Sequence, residues 1–241
     1  MKLTVLGSHG TWPRAGGAAS GYLLSQDGFH LWLDAGTGTL ARLQEHVDPF
    51  ELGAVVVSHR HFDHFLDLYP YFFARWSEGH PPLPLYAPPG MFRHAMQIED
   101  GLALGFESTE VEPGRSFEVG PFRVETGLMR HPVPTLGMRF SADGTSFAYS
   151  ADTGPTEDLI ALARDADLLL EEATFLGSEN PAPDFHLTAA EAGDHAARAG
   201  AGTTVLTHIR PLNDRGDVLE QASGTYVGEL RIAQEGMEVV V

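Results

Sequence analysis

His59-Arg60-His61-Phe62-Asp63-His64 places four metal-ligand side chains within six positions. They follow Ala54-Val55-Val56-Val57, a short apolar run suited to a strand buried on both faces. A strand ending in a tight turn can aim His59 and His61 at one ion while Asp63 and His64 wrap round to a second. Imidazole and carboxylate hold zinc, manganese or iron without sulfur. A solvated polar loop explains polarity in such a stretch, but not four ligand types at a strand end. Two ions need more donors than one cluster supplies. His131 in Arg130-His131-Pro132, Asp152 in Ala151-Asp152-Thr153-Gly154 and His208 in Thr207-His208-Ile209 each follow an apolar or alternating run. Each can project into the same crevice. Asp152 is the natural bridge, because one carboxylate has an oxygen for each of two cations.

The elements that must position these residues fall into two similar halves. Residues 3–6, 22–25 and 29–33 read as strands of a meander, joined by a Gly/Ser-rich loop and a Gln26-Asp27-Gly28 turn. Asp34-Ala35-Gly36 closes it, and Leu40, Leu43 and Val47 recur at helical spacing up to Asp48-Pro49. An aromatic helix over 65–76, a strand over 83–87 and a helix over 90–98 follow the cluster. Residues 109–150 hold alternating runs that read as antiparallel strands. The remainder reads as helix (156–164), strand (168–170), helix (188–199), strand (204–206), helix (214–222) and a terminal strand. Residues 29–37 and 146–154 echo each other as strand, Asp, Gly, helix, buried strand. Two such halves pack sheet on sheet with helices outside. The expected class is α/β (α+β), a four-layer αββα sandwich in one domain over residues 1–241. A plain α/β sheet with an antiparallel edge is the alternative.

Composition narrows the chemistry. The 241 residues include no cysteine, which excludes disulfides, iron–sulfur clusters, sulfur-ligated zinc and a thiol nucleophile. Any metal site must use the twelve histidines and the carboxylates. Thirty-three acids against fifteen bases give a formal net charge of −18, a poor match for polyanionic RNA. No run approaches the ~20 apolar residues of a membrane helix, and residues 1–7 are too short for a signal-peptide core. Cytoplasm is the expected location.

Asp34-Ala35-Gly36, His59-x-His61-x-Asp63-His64, His131, Ser150-Ala151-Asp152-Thr153-Gly154 and His208 together resemble the metallo-β-lactamase superfamily. The resemblance implies an αββα sandwich with a dinuclear zinc site at the sheet ends. His59, His61 and His131 would hold the first zinc, Asp63, His64 and His208 the second, and Asp152 would bridge. Asp34 would support them. Glu171-Glu172-Ala173-Thr174-Phe175 and His186-Leu187-Thr188 resemble the ribonuclease Z-like phosphodiesterase branch, in which a Glu orients a His against the scissile phosphate. Glu172 and His186 match those roles, while Glu171 replaces a histidine of the pattern. Thr188 with Glu191 also reads as a capping box. A homodimer is a further implication of the family.

A metal-activated water attacking a phosphodiester builds charge that two cations stabilise, Asp63 can hold the nucleophile's proton, and a carboxylate-oriented His can protonate the leaving alkoxide. Ribonuclease Z proper grips tRNA with an inserted basic arm, and no Lys/Arg run of that kind occurs here. The expected substrate is therefore a small diester, with long RNA disfavoured. Ser20-Gly21-Tyr22-Leu23-Leu24 and Thr207-His208-Ile209 resemble bacterial relatives proposed as cyclic-nucleotide phosphodiesterases, which implies a small or cyclic nucleotide. The alternatives are tRNA 3′-end processing, or hydrolysis of a lactone or thioester. Arg60, Arg130, Arg139 and Arg210 lie near ligand positions as candidate phosphate contacts. The aromatic run from Phe62 to Trp76 could stack a base, form a dimer face or fill the core.

Overall fold

The computed structural model describes residues 1–177, 179 and 184–241. A first meander, β1 (Lys2–Gly7), β2 (Gly21–Gln26) and β3 (Phe29–Ala35), leads to parallel β4 (Ala54–Val56), β5 (Leu83–Ala87) and β6 (Phe106–Glu110). A second meander, β7 (Ser116–Val119), β8 (Phe122–Leu128), β9 (Leu136–Ala142) and β10 (Thr145–Tyr149), leads to parallel β11 (Leu168–Glu172), β12 (Thr203–Thr207) and β13 (Glu229–Ile232). β14 (Glu238–Val240) returns to pair antiparallel with β1. The two sheets run β14-β1-β2-β3-β4-β5-β6 and β13-β12-β11-β10-β9-β8-β7. Helices α1 (Thr39–Leu43), α2 (Phe62–Phe65), α3 (Leu68–Ser77) and α4 (Met91–Ala95) belong to the first half. Helices α5 (Glu157–Leu162), α6 (Ala189–Ala199) and α7 (Arg215–Ser223) belong to the second. None of the described helices is long and apolar enough to cross a membrane.

Strand periodicity builds the layers. Leu31, Leu33, Ala54 and Val56 face Phe140, Phe147, Leu168 and Leu170 between the sheets. Their alternates Trp32 and Val55 pack outward with Phe65, Leu68 and Tyr71 of the helices. Leu169 likewise packs outward with Ala196 and Ala199 of α6. The short apolar runs are thus covered on both faces, as their lack of alternation implied.

Three boundaries differ from the sequence reading, each for a tertiary reason. The aromatic helix breaks between α2 and α3, where Asp67 accepts the Leu40 N–H (2.7 Å) and donates its own to the Ala35 carbonyl (2.9 Å). β6 begins at Phe106 and lies parallel at a sheet edge. Only its first residue is buried, so it carries no alternation to read. The single terminal strand is two, β13 and β14, in different sheets, separated by a turn at Gly236 (φ 82°).

β1, β3, β8, β10, β11 and β12 deliver their C-terminal ends to one edge, and the loop after β4 joins them there. Asp34, Ala151 and His208 at this edge hold left-handed backbone (φ 56°, 53° and 51°) although none is glycine. Strain of this kind persists where surrounding contacts over-determine it, and it concentrates at functional sites. Gly36 is required for a different reason. A Cβ there would lie 2.0 Å from the Asp63 carbonyl oxygen and 2.5 Å from that of Ser20.

Candidate metal centre

Two four-residue clusters meet at Asp152: His59, His61, His131 and Asp152 in one, Asp63, His64, His208 and Asp152 in the other. In the first, His61 Nδ1 lies 3.1 Å from His59 Nε2 and 2.9 Å from His131 Nε2. Asp152 Oδ2 stands 3.6 Å from His59 Nε2 and 3.8 Å from His131 Nε2. In the second, Asp152 Oδ1 is 3.2 Å from His64 Nε2 and 3.4 Å from His208 Nε2. Asp63 Oδ2 lies 3.3 Å from His208 Nε2. The two oxygens of one carboxylate therefore address different clusters. All seven residues singled out from the sequence as ligands are brought together.

The surroundings fix which nitrogen faces inward. His59 Nδ1–H donates to Ser58 Oγ (3.0 Å), His64 Nδ1–H to Asp34 (2.8 Å), His131 Nδ1–H to the Phe185 carbonyl (3.1 Å) and His208 Nδ1–H to Thr174 Oγ1 (2.7 Å). Each turns Nε2 toward the cluster, the ring orientation that a metal requires. His64 Nε2 and Asp152 Oδ1 are buried, make no well-aligned hydrogen bond among the described residues and face only other atoms of the cluster. Orphans of this sort are costly unless a cation takes the lone pairs. The donor set, all nitrogen and carboxylate oxygen, therefore fits divalent cations.

Electrostatics distinguish the two clusters. Burial first, then neighbouring imidazoles, lowers His59 well below the usual range and His61 to about 4, so both are neutral. Burial would raise Asp152 and Asp63. His208 and His64 outweigh it for Asp152, which is held well below the carboxylate range, and they hold Asp63 at about 2. Burial would lower His64, but Asp152, Asp63 and Asp34 raise it well above the imidazole range, so its Nε2 carries a proton that a bound cation would replace.

Asp34 organises one side of the centre. Its fully buried carboxylate accepts from Ser58 N–H (2.7 Å), Ser58 Oγ (2.8 Å), His64 Nδ1–H (2.8 Å) and the Tyr149 hydroxyl (2.7 Å). Ser58 and Tyr149 were not evident from the sequence. Nor was Thr11, whose backbone N–H donates to Asp63 Oδ2 (2.8 Å). On the other side, Glu172 Oε1 accepts from His186 Nδ1–H (3.0 Å) and from the Thr153 N–H (2.6 Å), while Oε2 takes Leu187 N–H (3.1 Å) and Thr174 Oγ1–H. Thr174 thus couples Glu172 to His208. The His186 ring stacks on His208 (centroids 5.4 Å apart, planes 9° apart) and stands edge-on to His131 (5.1 Å). Thr188 and Glu191 form the capping box of α6.

Glu171 turns the opposite way from Glu172, as strand alternation requires. It is fully buried beneath α6 with His195 Nδ1 at 3.2 Å. Burial pushes its carboxyl up to about 7, against the opposing influence of His195. Because the folded-state pKa exceeds the unfolded one, the stabilising contribution is complete below about pH 4.3 and is lost as pH rises through 7. Glu171→Gln is expected to remove that loss, a gain on the order of 2 kcal/mol at pH 8 and little at pH 5. Denaturant unfolding at the two pH values measures it, and an equal effect at both would contradict the burial argument.

The arginines sort clearly. Arg139 donates to the Leu162 and Arg164 carbonyls (3.1 and 2.7 Å) at the end of α5, on the outer face and away from the centre. Its expected place among the phosphate contacts is therefore corrected. Arg130 pairs with Asp184 and Arg210 with Glu179, both at 3.7 Å. Arg60 is exposed and has no ion pair among the described residues. A groove of about 850 Å3 between α5 and the outer face of β7–β9 has no cluster residue in its walls.

The beta-lactamase superfamily domain matches residues 30–209. The probable metallo-hydrolase YhfI of Bacillus subtilis is 32% identical over 98% of both chains. Its crystal structure superposes with a TM-score of 0.93, at 30% identity over 99% of both chains. A ribonuclease Z of Haloarcula marismortui is 27% identical over 99% of this chain and 96% of its own. Human tRNase Z, short form, at 23% identity and a TM-score of 0.80 over 100% and 99% of the two chains, shares the fold. On its sequence match, its two mixed sheets and its clustered histidines and aspartates, the chain belongs to the beta-lactamase superfamily, with the metallo-β-lactamase αββα sandwich.

Proposed function

We propose that this metal-dependent hydrolase, read as one domain over residues 1–241, is a phosphodiesterase of small or cyclic nucleotides that uses two divalent cations, zinc before manganese or iron. The observation that carries the reading is the Glu172–His186 pair set against the shared carboxylate. Asp152, Glu172, His186 and His208 all bring a ligand atom within 4.8 Å of one another. His59, His61, His131 and Asp152 would hold one cation, and Asp63, His64, His208 and Asp152 the other. Cations bound there supply Lewis acidity, withdrawing charge from phosphoryl oxygens and lowering the pKa of water toward ~7. The chain's own groups do the rest. Asp63, its Oδ2 fixed by the Thr11 N–H, accepts the proton of the attacking water. His186, its Nδ1 fixed by Glu172, donates from Nε2 to the leaving alkoxide.

Burial alone would lower His186, but the charge and hydrogen bond of Glu172, with Asp152 and Asp63 behind it, raise it to about 9. Without cations it is protonated at neutral pH; cations held by Asp152 and Asp63 would oppose the rise, so in the loaded enzyme the proton is lost at a lower pH. Turnover of a diester with a poor leaving group is expected to fall along that limb. Glu172→Gln should lower kcat about a hundredfold and move the limb down by about one unit or more. A limb that stays in place would show that His186 is not the acid.

Charge and length both favour a small substrate. The net charge of −18 opposes a long polyanion. The alignment with the Haloarcula ribonuclease Z spans 300 positions, so a 241-residue chain leaves about 60 of them empty. Metal-loaded protein incubated separately with 3′,5′-cyclic AMP, bis-p-nitrophenyl phosphate, a precursor tRNA and a lactone tests the reading. Hydrolysis of the two small diesters is expected. Cleavage of the lactone alone, or of the tRNA alone, would refute it.

A further inference from the structure

We propose that the cleft between Phe62, His94 and Val133, with Arg60 at its rim, seats the nucleobase of the substrate; this rests on the phosphodiesterase reading above. The cleft measures about 220 Å3 and is lined by those four residues and His61. His61 is shared with the first metal cluster, so a group in the cleft is contiguous with the reaction centre. A space of this size suits one heteroaromatic ring system, not a paired or stacked run of bases.

The aromatic segment separates into distinct roles. Phe65, Tyr71 and Phe72 are buried in the helix-side core, whereas Phe62 is 55% exposed. Chain connectivity between His61 and Asp63 holds this large apolar ring at the mouth of the centre. Phe65 supports both walls from below: its ring meets Phe62 at 5.9 Å and His94 at 6.3 Å between centroids. Val133, two residues beyond His131, supplies an apolar side. An exposed ring on a firm base, facing a second ring, is the arrangement on which a base stacks, and stacking is tolerant of base identity. Arg60 adds what the rest of the surface lacks. In a chain of net charge −18 its guanidinium is free of ion pairing among the described residues, and it adjoins the phosphate's destination. It also borders a second cleft of about 210 Å3 with Pro88, Pro89 and Pro134.

The test compares kcat/KM for 3′,5′-cyclic AMP with that for methyl riboside 3′,5′-cyclic phosphate, the same diester ring without a base. The wild type is expected to prefer the nucleotide about tenfold or more. Phe62→Ala and His94→Ala should each lose most of that ratio, and Phe62→Tyr, which keeps a ring, should retain it. The ratio is insensitive to incomplete metal loading, because both substrates use one centre. A wild-type ratio near one, or a ratio unchanged by Phe62→Ala, overturns the subsite. If the wild type hydrolyses neither diester, the phosphodiesterase reading fails on its own, and calorimetry decides the subsite. Adenosine 5′-monophosphate should then bind about tenfold tighter than ribose 5-phosphate to the wild type and equally to Phe62→Ala. Equal affinities in the wild type would overturn it.

Discussion

Asp152→Ala is expected to lower kcat/KM at least about a thousandfold and to reduce metal content below two ions per chain. The reason is geometric. Asp152 Oδ2 faces His59 and His131 while Oδ1 faces His64 and His208. Among the described residues, no other carboxylate belongs to both of the clusters assigned to the two cations. Its removal would withdraw a donor from each proposed cation and leave converging imidazoles without a counter-charge. A loss of about 4 kcal/mol in transition-state stabilisation corresponds to that thousandfold. Asp152→Asn, which keeps the shape but not the charge, should behave almost as badly. His186→Ala is the contrast: it should retain both ions while turnover falls, because the proposed mechanism keeps His186 out of both cation sites and assigns it to the leaving group. Elemental analysis with steady-state kinetics on the three variants separates these outcomes. An Asp152→Ala protein that keeps two ions and normal turnover would remove the bridge from the account.

The second large effect lies at Asp34, which touches no candidate cation. Four donors converge on its buried carboxylate, and one of them is His64. Asp34→Ala strands all four and frees the His64 ring to rotate or change tautomer. A destabilisation of about 3–5 kcal/mol is expected from the uncompensated buried donors. Metal affinity should fall about 10–100-fold through His64. Asp34→Asn is the milder variant, since asparagine tolerates the left-handed backbone observed there. Unfolding in chelator isolates the stability effect, and metal titration of the folded variants isolates the affinity effect. If Asp34→Ala were as stable as the wild type in chelator, the carboxylate would not be the hub described.

How far the sequence reveals this site depends on whether the information is local. His59, His61, Asp63 and His64 are legible because four ligand types crowd one strand end, and His131, Asp152 and His208 because each follows a strand-like run. Adjacent Glu171 and Glu172 are separable by alternation alone: Leu170 and Glu172 share one face, Leu169 and Glu171 the other. The hydrogen-bonding shell is not legible. Tyr149 reaches Asp34 across 115 positions, and Ser58 and Thr174 are ordinary hydroxyl residues until folding sets them beside His59 and His208. The Thr11 contribution is a backbone N–H, which no side-chain pattern marks. The same holds for the fold. The two meander-then-parallel halves follow from periodicity, whereas the break between α2 and α3 depends on Asp67 meeting Leu40, a tertiary contact invisible to local spacing.

The most direct measurement titrates chelator-stripped protein with Zn2+ while following hydrolysis of 3′,5′-cyclic AMP. Two clusters sharing Asp152, with His186 poised beside them, predict activity that rises to a plateau at two equivalents of metal per chain. A plateau at one equivalent, or metal uptake with no hydrolysis of the diester, would contradict the account.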